Sequence, residues 1–130
     1  MDATAAIAEL RELSTQIETV VVIARDGSLV ASSVQDESAH RIAEAARDLA
    51  EGADQVRRDL GREALAQLQA ATPEGSVFLV MDDHRTVVAT TGADPTVGLV
   101  FYDLKTLLRQ IAEGDGQAAD EEQERTDGSA

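Results

Sequence analysis

The side chains that could carry acid–base or metal chemistry are few and widely spaced in this sequence. His40 and His84 are the two histidines, and the chain has no cysteine. The histidines do not lie at the spacing of a zinc-binding pair, so a zinc site would have to be built from carboxylates. Asp82 and Asp83 could form a carboxylate pair for acid–base work, but tight turns favour adjacent aspartates for backbone reasons alone. We therefore predict no catalytic residue, no metal ligand and no cofactor.

Sequence motifs that activate a nucleophile or hold a nucleotide are also missing. The chain contains no Gly-x-Ser-x-Gly, the motif that exposes a catalytic serine on a sharp turn. It contains neither Gly-x-x-x-x-Gly-Lys nor Gly-x-Gly-x-x-Gly, the two glycine-rich loops that cradle phosphate groups. We expect a protein that is not an enzyme and whose function lies in the surfaces it presents to partners.

The chain is strongly acidic, with 25 Asp and Glu residues against 11 Lys and Arg and a formal net charge of -14. Such a surface repels phosphate backbones and anionic lipids, so we expect neither a nucleic-acid partner nor a membrane partner. The N-terminus has no basic stretch followed by a long apolar run, and we expect a cytoplasmic protein. Alanine is abundant and Lys105 is the single lysine, a composition that indicates a G+C-rich, bacterial genome.

Length and composition predict one domain followed by a tail. The 130 residues, 43% of them hydrophobic, are enough to build one core. From Gly114 onward no apolar side chain is larger than alanine, and six acidic residues stand against one arginine. We therefore predict a folded domain over residues 1–113 and a disordered acidic tail over residues 114–130.

Hydrophobic periodicity predicts three helices separated by short β-branched runs. Asp26-Gly27 lies between two such runs and predicts a hairpin with a type I′ turn. Asp94 is the expected N-cap of the last helix. The segment 62–72 is rich in helix-forming residues but alternates in a way that permits a strand, so both interpretations stay open. The predicted helices span residues 3–16, 39–60 and 95–113, and the predicted strands span residues 18–24, 28–33, 76–81 and 85–91.

The long central helix carries two apolar rows, and we expect Asp36 or Ser38 to cap it and Gly61 to end it. The row that we assign to the chain's own sheet is Ile42, Ala46, Leu49, Ala53, Val56 and Leu60. A second row of small residues, centred roughly 60–80° away around the helix, would let another helix approach closely. The row that we assign to self-association is Ala39, Ala43, Ala46, Ala50 and Ala53. The polar residues on the far side are Glu44, Arg47, Asp48, Glu51, Gln55 and Arg58.

Three segments in order carry a family resemblance. Residues 20–33 read Val-Val-Val-Ile-Ala-Arg-Asp-Gly-Ser-Leu-Val-Ala-Ser-Ser, residues 73–80 read Pro-Glu-Gly-Ser-Val-Phe-Leu-Val, and residues 94–104 contain Gly-Leu-Val-Phe-Tyr-Asp-Leu. They resemble the first hairpin, the fourth strand and the start of the last helix of the Roadblock/dynein light chain family, including its bacterial MglB-like members. The resemblance covers about residues 3–113.

The resemblance implies an α+β fold. A five-stranded antiparallel sheet in the order 2-1-5-4-3 would carry the first and last helices on one face and the long helix on the other. Residues 63–72 would form the third strand. Family members typically dimerise through the long helix and this strand, so the resemblance adds Leu68 and Ala70 to the alanine row as residues of a homodimer interface.

The resemblance also implies a homodimeric module that binds a small Ras-like GTPase and modulates its GTP hydrolysis or nucleotide state. In the MglB-like branch, the long-helix face of the dimer meets the switch regions of the GTPase, and no arginine finger is transferred. The six polar residues of the long helix are then the candidate GTPase contacts. Two alternatives stay open: a non-catalytic dimeric scaffold that holds a GTPase or a signalling kinase and, ranked below both, a small-molecule sensor domain.

Overall fold

The structure is a computed structural model that describes residues 2–61 and 66–128, with side chains as far as residue 114. Its elements, in chain order, are α1 (Ala3–Leu13), β1 (Ile17–Ala24), β2 (Leu29–Ser32), α2 (Asp36–Asp59), β3 (Gln67–Ala71), β4 (Gly75–Met81), β5 (Arg85–Gly92) and α3 (Val97–Gly128).

The five strands form one antiparallel sheet in the order β2-β1-β5-β4-β3, as the family resemblance implies. The central strands are buried on both faces because their residues are apolar without interruption. Val20 and Val22 of β1 point into a core shared with α1 and α3, whereas Val21 and Ile23 point into a core shared with α2. The predicted three-layer α+β arrangement is confirmed.

β3 forms although its composition favours a helix, because its backbone pairs along its whole length with β4. Leu68 lies opposite Leu79 and Ala70 lies opposite Val77. The strand interpretation of the ambiguous segment is therefore confirmed for residues 67–71. Residues 62–65, which the prediction for residues 62–72 also included, lie outside the described residues.

The first hairpin closes with a different turn from the one predicted. A type I′ turn needs a positive φ at both central residues, but Gly27 alone has one, at 90°. The Ala24 N–H donates to the Ser28 carbonyl at 2.8 Å, and the Gly27 N–H donates to the Ala24 carbonyl at 2.9 Å. These bonds define a three-residue loop in which glycine takes the left-handed position.

Two of the predicted helix caps are wrong. α2 begins at Asp36 with Gln35 as its N-cap, and that cap makes no side-chain hydrogen bond. Asp94 lies three residues before α3, with a φ of 55°, and the Thr96 carbonyl accepts the first helical bonds from Leu99 and Val100. The end of α2 is as expected, since Gly61 has a φ of 68°.

The backbone of α3 continues to Gly128, beyond the end predicted at Gly114. The segment after Gly114 is rich in alanine, glutamate and glutamine, which propagate a helix well. Side chains that anchor α3 to the sheet, Val100, Leu104, Leu107 and Ile111, all precede Gly114. The division of the chain into a domain over residues 1–113 and a tail over residues 114–130 stays a prediction.

Candidate functional site

The side chains best suited to catalysis or metal binding either accept hydrogen bonds from the backbone or are exposed to solvent. Asp82 Oδ1 accepts the N–H groups of His84 and Arg85, both at 2.8 Å, and so closes the turn between β4 and β5. The side chains of His40 and His84 are exposed, on α2 and in that turn respectively. Across residues 2–61 and 66–114, no three His, Asp or Glu side chains come together as metal ligands.

The alanine row of α2 packs against the chain's own sheet. Ala39, Ala43 and Ala46 are 0%, 4% and 4% exposed and share a core cluster with residues of β1, β4 and β5. Ala50 is half-buried against the same cluster, and Ala53 is also half-buried. The assignment of this row to a face open to a second helix is a misplacement, since the small side chains let α2 lie close to its own sheet.

The large residues from Leu49 onward in the other apolar row of α2 point away from the sheet, whereas Ile42 and Ala46 of that row pack against it. Leu49, Val56 and Leu60 are 40%, 59% and 69% exposed, and we call these three residues the apolar strip. Their prediction as sheet-facing residues is wrong. The two rows lie within about a quarter-turn of each other on the helix, and only the position of α2 above the sheet decides which one is buried.

Among the described residues, α2 lies mainly over one half of its sheet face. It packs over β1, β2 and β5. Leu68 and Ala70 of β3 and Val77 of β4 lie on this same face and are half-buried. The predicted interface residues Leu68 and Ala70 therefore lie beside α2, on the sheet face that carries it.

β3 is an edge strand with an open backbone. The Met81 N–H donates to the Ala66 carbonyl, and the Thr72 N–H donates to the Gly75 carbonyl, so the even-numbered residues bond to β4. Because successive residues of a strand alternate in direction, the N–H and C=O groups of Gln67, Gln69 and Ala71 point away from β4. They offer a ready surface for pairing with another strand.

The six polar residues predicted as GTPase contacts, Glu44, Arg47, Asp48, Glu51, Gln55 and Arg58, are all exposed. Three of them, Arg47, Glu51 and Arg58, line a groove of about 510 Å³ between the C-terminal half of α2 and one end of the sheet. We call it the charged groove. Its charged lining residues are Arg25, Arg47, Arg58, Arg85, Glu51, Asp54, Asp82 and Asp83. Only lining residues contributed by α2 were predicted as partner contacts from the sequence, because β1 and the β4–β5 turn are distant from α2 in the chain.

Local contacts fix the charged side chains at two places in this groove. The Arg58 guanidinium lies 3.2 Å from the Asp54 carboxylate, one helical turn away. Arg47 lies against the β1–β2 loop, where a Cβ atom on Gly27 would collide with its guanidinium. The Ser28 hydroxyl and the Ser28 N–H donate to Asp26 and lower the pKa of that carboxyl, and Arg47 lowers it further.

The sequence matches no family model and no curated protein, so the comparison depends on structure. A Roadblock/LC7 domain from Streptomyces avermitilis superimposes with a TM-score of 0.79 at 14% identity, covering 87% of this chain and 97% of that one. A second Roadblock/LC7 domain from the same organism superimposes with a TM-score of 0.65 at 22% identity, covering 82% of this chain and 95% of that one. Myxococcus xanthus MglB superimposes with a TM-score of 0.73 at 15% identity, covering 86% of this chain and 88% of that one.

These likenesses define the architectural class. A five-stranded antiparallel sheet, with two helices on one face and one long helix on the other, is the fold of Roadblock/LC7 domains. The chain has this fold, as the three sequence segments predict. Within the described residues, no helix is both long enough and apolar enough to cross a bilayer.

Proposed function

We propose that this chain is a homodimeric module that binds a small Ras-like GTPase and modulates its GTP hydrolysis or nucleotide state. One observation supports this most strongly: α2 presents an exposed apolar strip on one flank and exposed charged residues on another, within a Roadblock/LC7 fold. The apolar flank serves self-association, and the charged flank serves the GTPase. The proposed place of action is the cytoplasm.

Self-association would remove the apolar strip from water. Large apolar side chains grouped on one exposed flank favour a protein contact. A two-fold axis sets the strip of one copy against the strip of the other, so each residue contributes twice. The interface that we propose contains Leu49, Val56, Leu60, Leu68 and Ala70. Ala39, Ala43 and Ala46 support it from beneath by holding α2 close to the sheet.

The open edge of β3 would complete the dimer. Antiparallel pairing with β3 of a second copy would satisfy the outward N–H and C=O groups of Gln67, Gln69 and Ala71. It would also join two five-stranded sheets into one continuous sheet. Edge pairing and helix contact reinforce each other, because both bury groups that a single copy leaves in water.

The six exposed polar residues of α2, Glu44, Arg47, Asp48, Glu51, Gln55 and Arg58, form the proposed GTPase contact. Contacts of mixed charge give specificity and speed association, whereas affinity depends more on buried anchors. We propose that any acceleration of hydrolysis comes from rearrangement of the GTPase's own switch residues, without an arginine of this chain entering its active site.

GTP turnover by the small Ras-like GTPase encoded nearest to this chain's gene tests the proposal. We expect a changed turnover rate when the full chain is added at stoichiometric concentration. Arg58→Glu should reduce the effect, whereas Arg109→Glu, which makes the same charge change on α3 across the sheet, should retain it. Tight binding with an unchanged rate would support a scaffold, and absence of binding in every nucleotide state would contradict the proposal.

A further inference from the structure

The charged groove lies on the flank of α2 opposite to the apolar strip. Its apolar floor is formed by Ile23 of β1, Ala50 of α2 and Met81 of β4. Because the proposed dimer covers the other flank, each copy would keep its groove open. An apolar floor beneath charged side chains suits a protein partner. One apolar side chain of the partner is buried on the floor, and the charged residues beside it pair with charges at the rim of the groove.

The two ends of the groove differ in charge. At the β1–β2 end, Arg25 and Arg47 lie beside the first hairpin loop, where Arg47 rests against Gly27. At the β4–β5 end, Asp82 and Asp83 lie in the turn and outnumber Arg85, the first residue of β5. Arg58 and Asp54, which also line the groove, are paired with each other. The groove is therefore dipolar, on a chain whose net charge is -14.

We infer that the charged groove is the docking site for one segment of the GTPase, and this inference rests on the proposed function. The segment carries an acidic side chain that pairs with Arg25 and Arg47, an apolar side chain on the floor, and a basic side chain that pairs with Asp83. The lining carries as many acidic side chains as arginines, so the groove fits such a segment better than a small ligand of one charge sign. The dipole fixes the direction in which the segment lies.

Opposite charge reversals at the two ends test this inference. Arg25→Glu makes the chain more negative and Asp83→Lys makes it less negative, yet both should weaken binding of the GTP-loaded GTPase by about tenfold or more. Long-range attraction or repulsion alone would change affinity in opposite directions for the two variants. Both positions are exposed, so the fold should tolerate the changes.

Matched controls make the same charge changes on the opposite face of the sheet. Arg11→Glu and Glu12→Lys lie on α1, are exposed, and should leave the affinity within about twofold of the wild type. If either reversal lowers the melting temperature, Arg25→Gln and Asp83→Asn replace them and should still weaken binding. Isothermal titration calorimetry with the same GTPase measures all six variants.

The outcomes separate this inference from the proposal on which it rests. A wild-type chain that binds no GTPase would overturn both. A wild-type chain that binds, with Arg25→Glu and Asp83→Lys at wild-type affinity, would overturn the groove alone. Affinity changes of opposite sign in the two variants would also overturn it, because net charge and not the groove would then govern binding.

Discussion

Enlarging Ala43 tests how α2 sits on its sheet. Ala43 is 4% exposed and packs in a cluster with Val21, Val88 and Leu79, which are 0–1% exposed themselves. A leucine at this position has no room and must push α2 away from the sheet or force side chains out of their preferred rotamers. Such overpacking costs about 1–3 kcal/mol.

The expected result of Ala43→Leu is a melting temperature lower by roughly 4–12 °C, since about 1 kcal/mol shifts a domain of this size by about 4 °C. Thermal unfolding followed by circular dichroism, at one fixed protein concentration, measures it. The control is Ala8→Leu, the same substitution at an exposed position of α1. Equal melting temperatures for both variants and the wild type would refute the packing of the alanine row on the sheet.

Three further results are expected. Gln69→Pro should weaken self-association but keep the fold, because the Gln69 N–H points to the open edge of the sheet. Ala70→Pro should instead unfold the sheet edge, because it removes a hydrogen bond to β4. Sedimentation measures the loss of self-association, and circular dichroism measures the loss of fold. Deleting residues 115–130 should change the melting temperature little, because α3 is anchored by residues before them, and a large loss of stability would contradict the tail prediction. Asp103→Asn should raise the melting temperature at pH 7, because burial raises the pKa of Asp103 and disfavours its ionised form in the folded state. The gain should shrink as the pH falls through the range in which this carboxyl becomes protonated, because the wild-type residue is then neutral too. Melting curves at pH 7 and at an acidic pH below that range check it.

Hydrophobic periodicity predicted the three helices and four of the five strands, whereas the family resemblance implied the third strand, the strand order and the layers. Continuous β-branched runs such as residues 20–23 are buried on both sides, and that pattern distinguishes a central strand from an edge strand. β3 was ambiguous because glutamine and alanine have no strong strand preference. Its register with β4, not its composition, makes it a strand.

The orientation of α2 could not be predicted in the same way. Its two apolar rows lie close together around the helix, and both satisfy a helical period. Burial of Ala43 and exposure of Val56 follow from the place where α2 crosses the sheet, which depends on packing against β1, β2 and β5. Larger residues bury more area in a core, yet close helix–sheet contact favours the smaller ones.

The charged groove could not be predicted from the sequence, for a different reason. Arg25, Arg47 and Asp83 come from the first hairpin, the long helix and the last hairpin. Only the pairing of β1 and β4 with β5 brings them to one end of the sheet. A surface residue of α2 such as Arg47 could be identified from its position on the helix, but its neighbours could not.

The central claim is that two copies associate through the apolar strip of α2, and sedimentation equilibrium of the full chain tests it most directly. A chain of 13.8 kDa should sediment with twice that mass. Val56→Glu should sediment as a monomer with an intact circular dichroism spectrum, whereas Val97→Glu, the same change at an exposed position of α3, should remain a dimer. A monomeric wild-type chain, or a Val56→Glu variant that remains a dimer, would contradict the account.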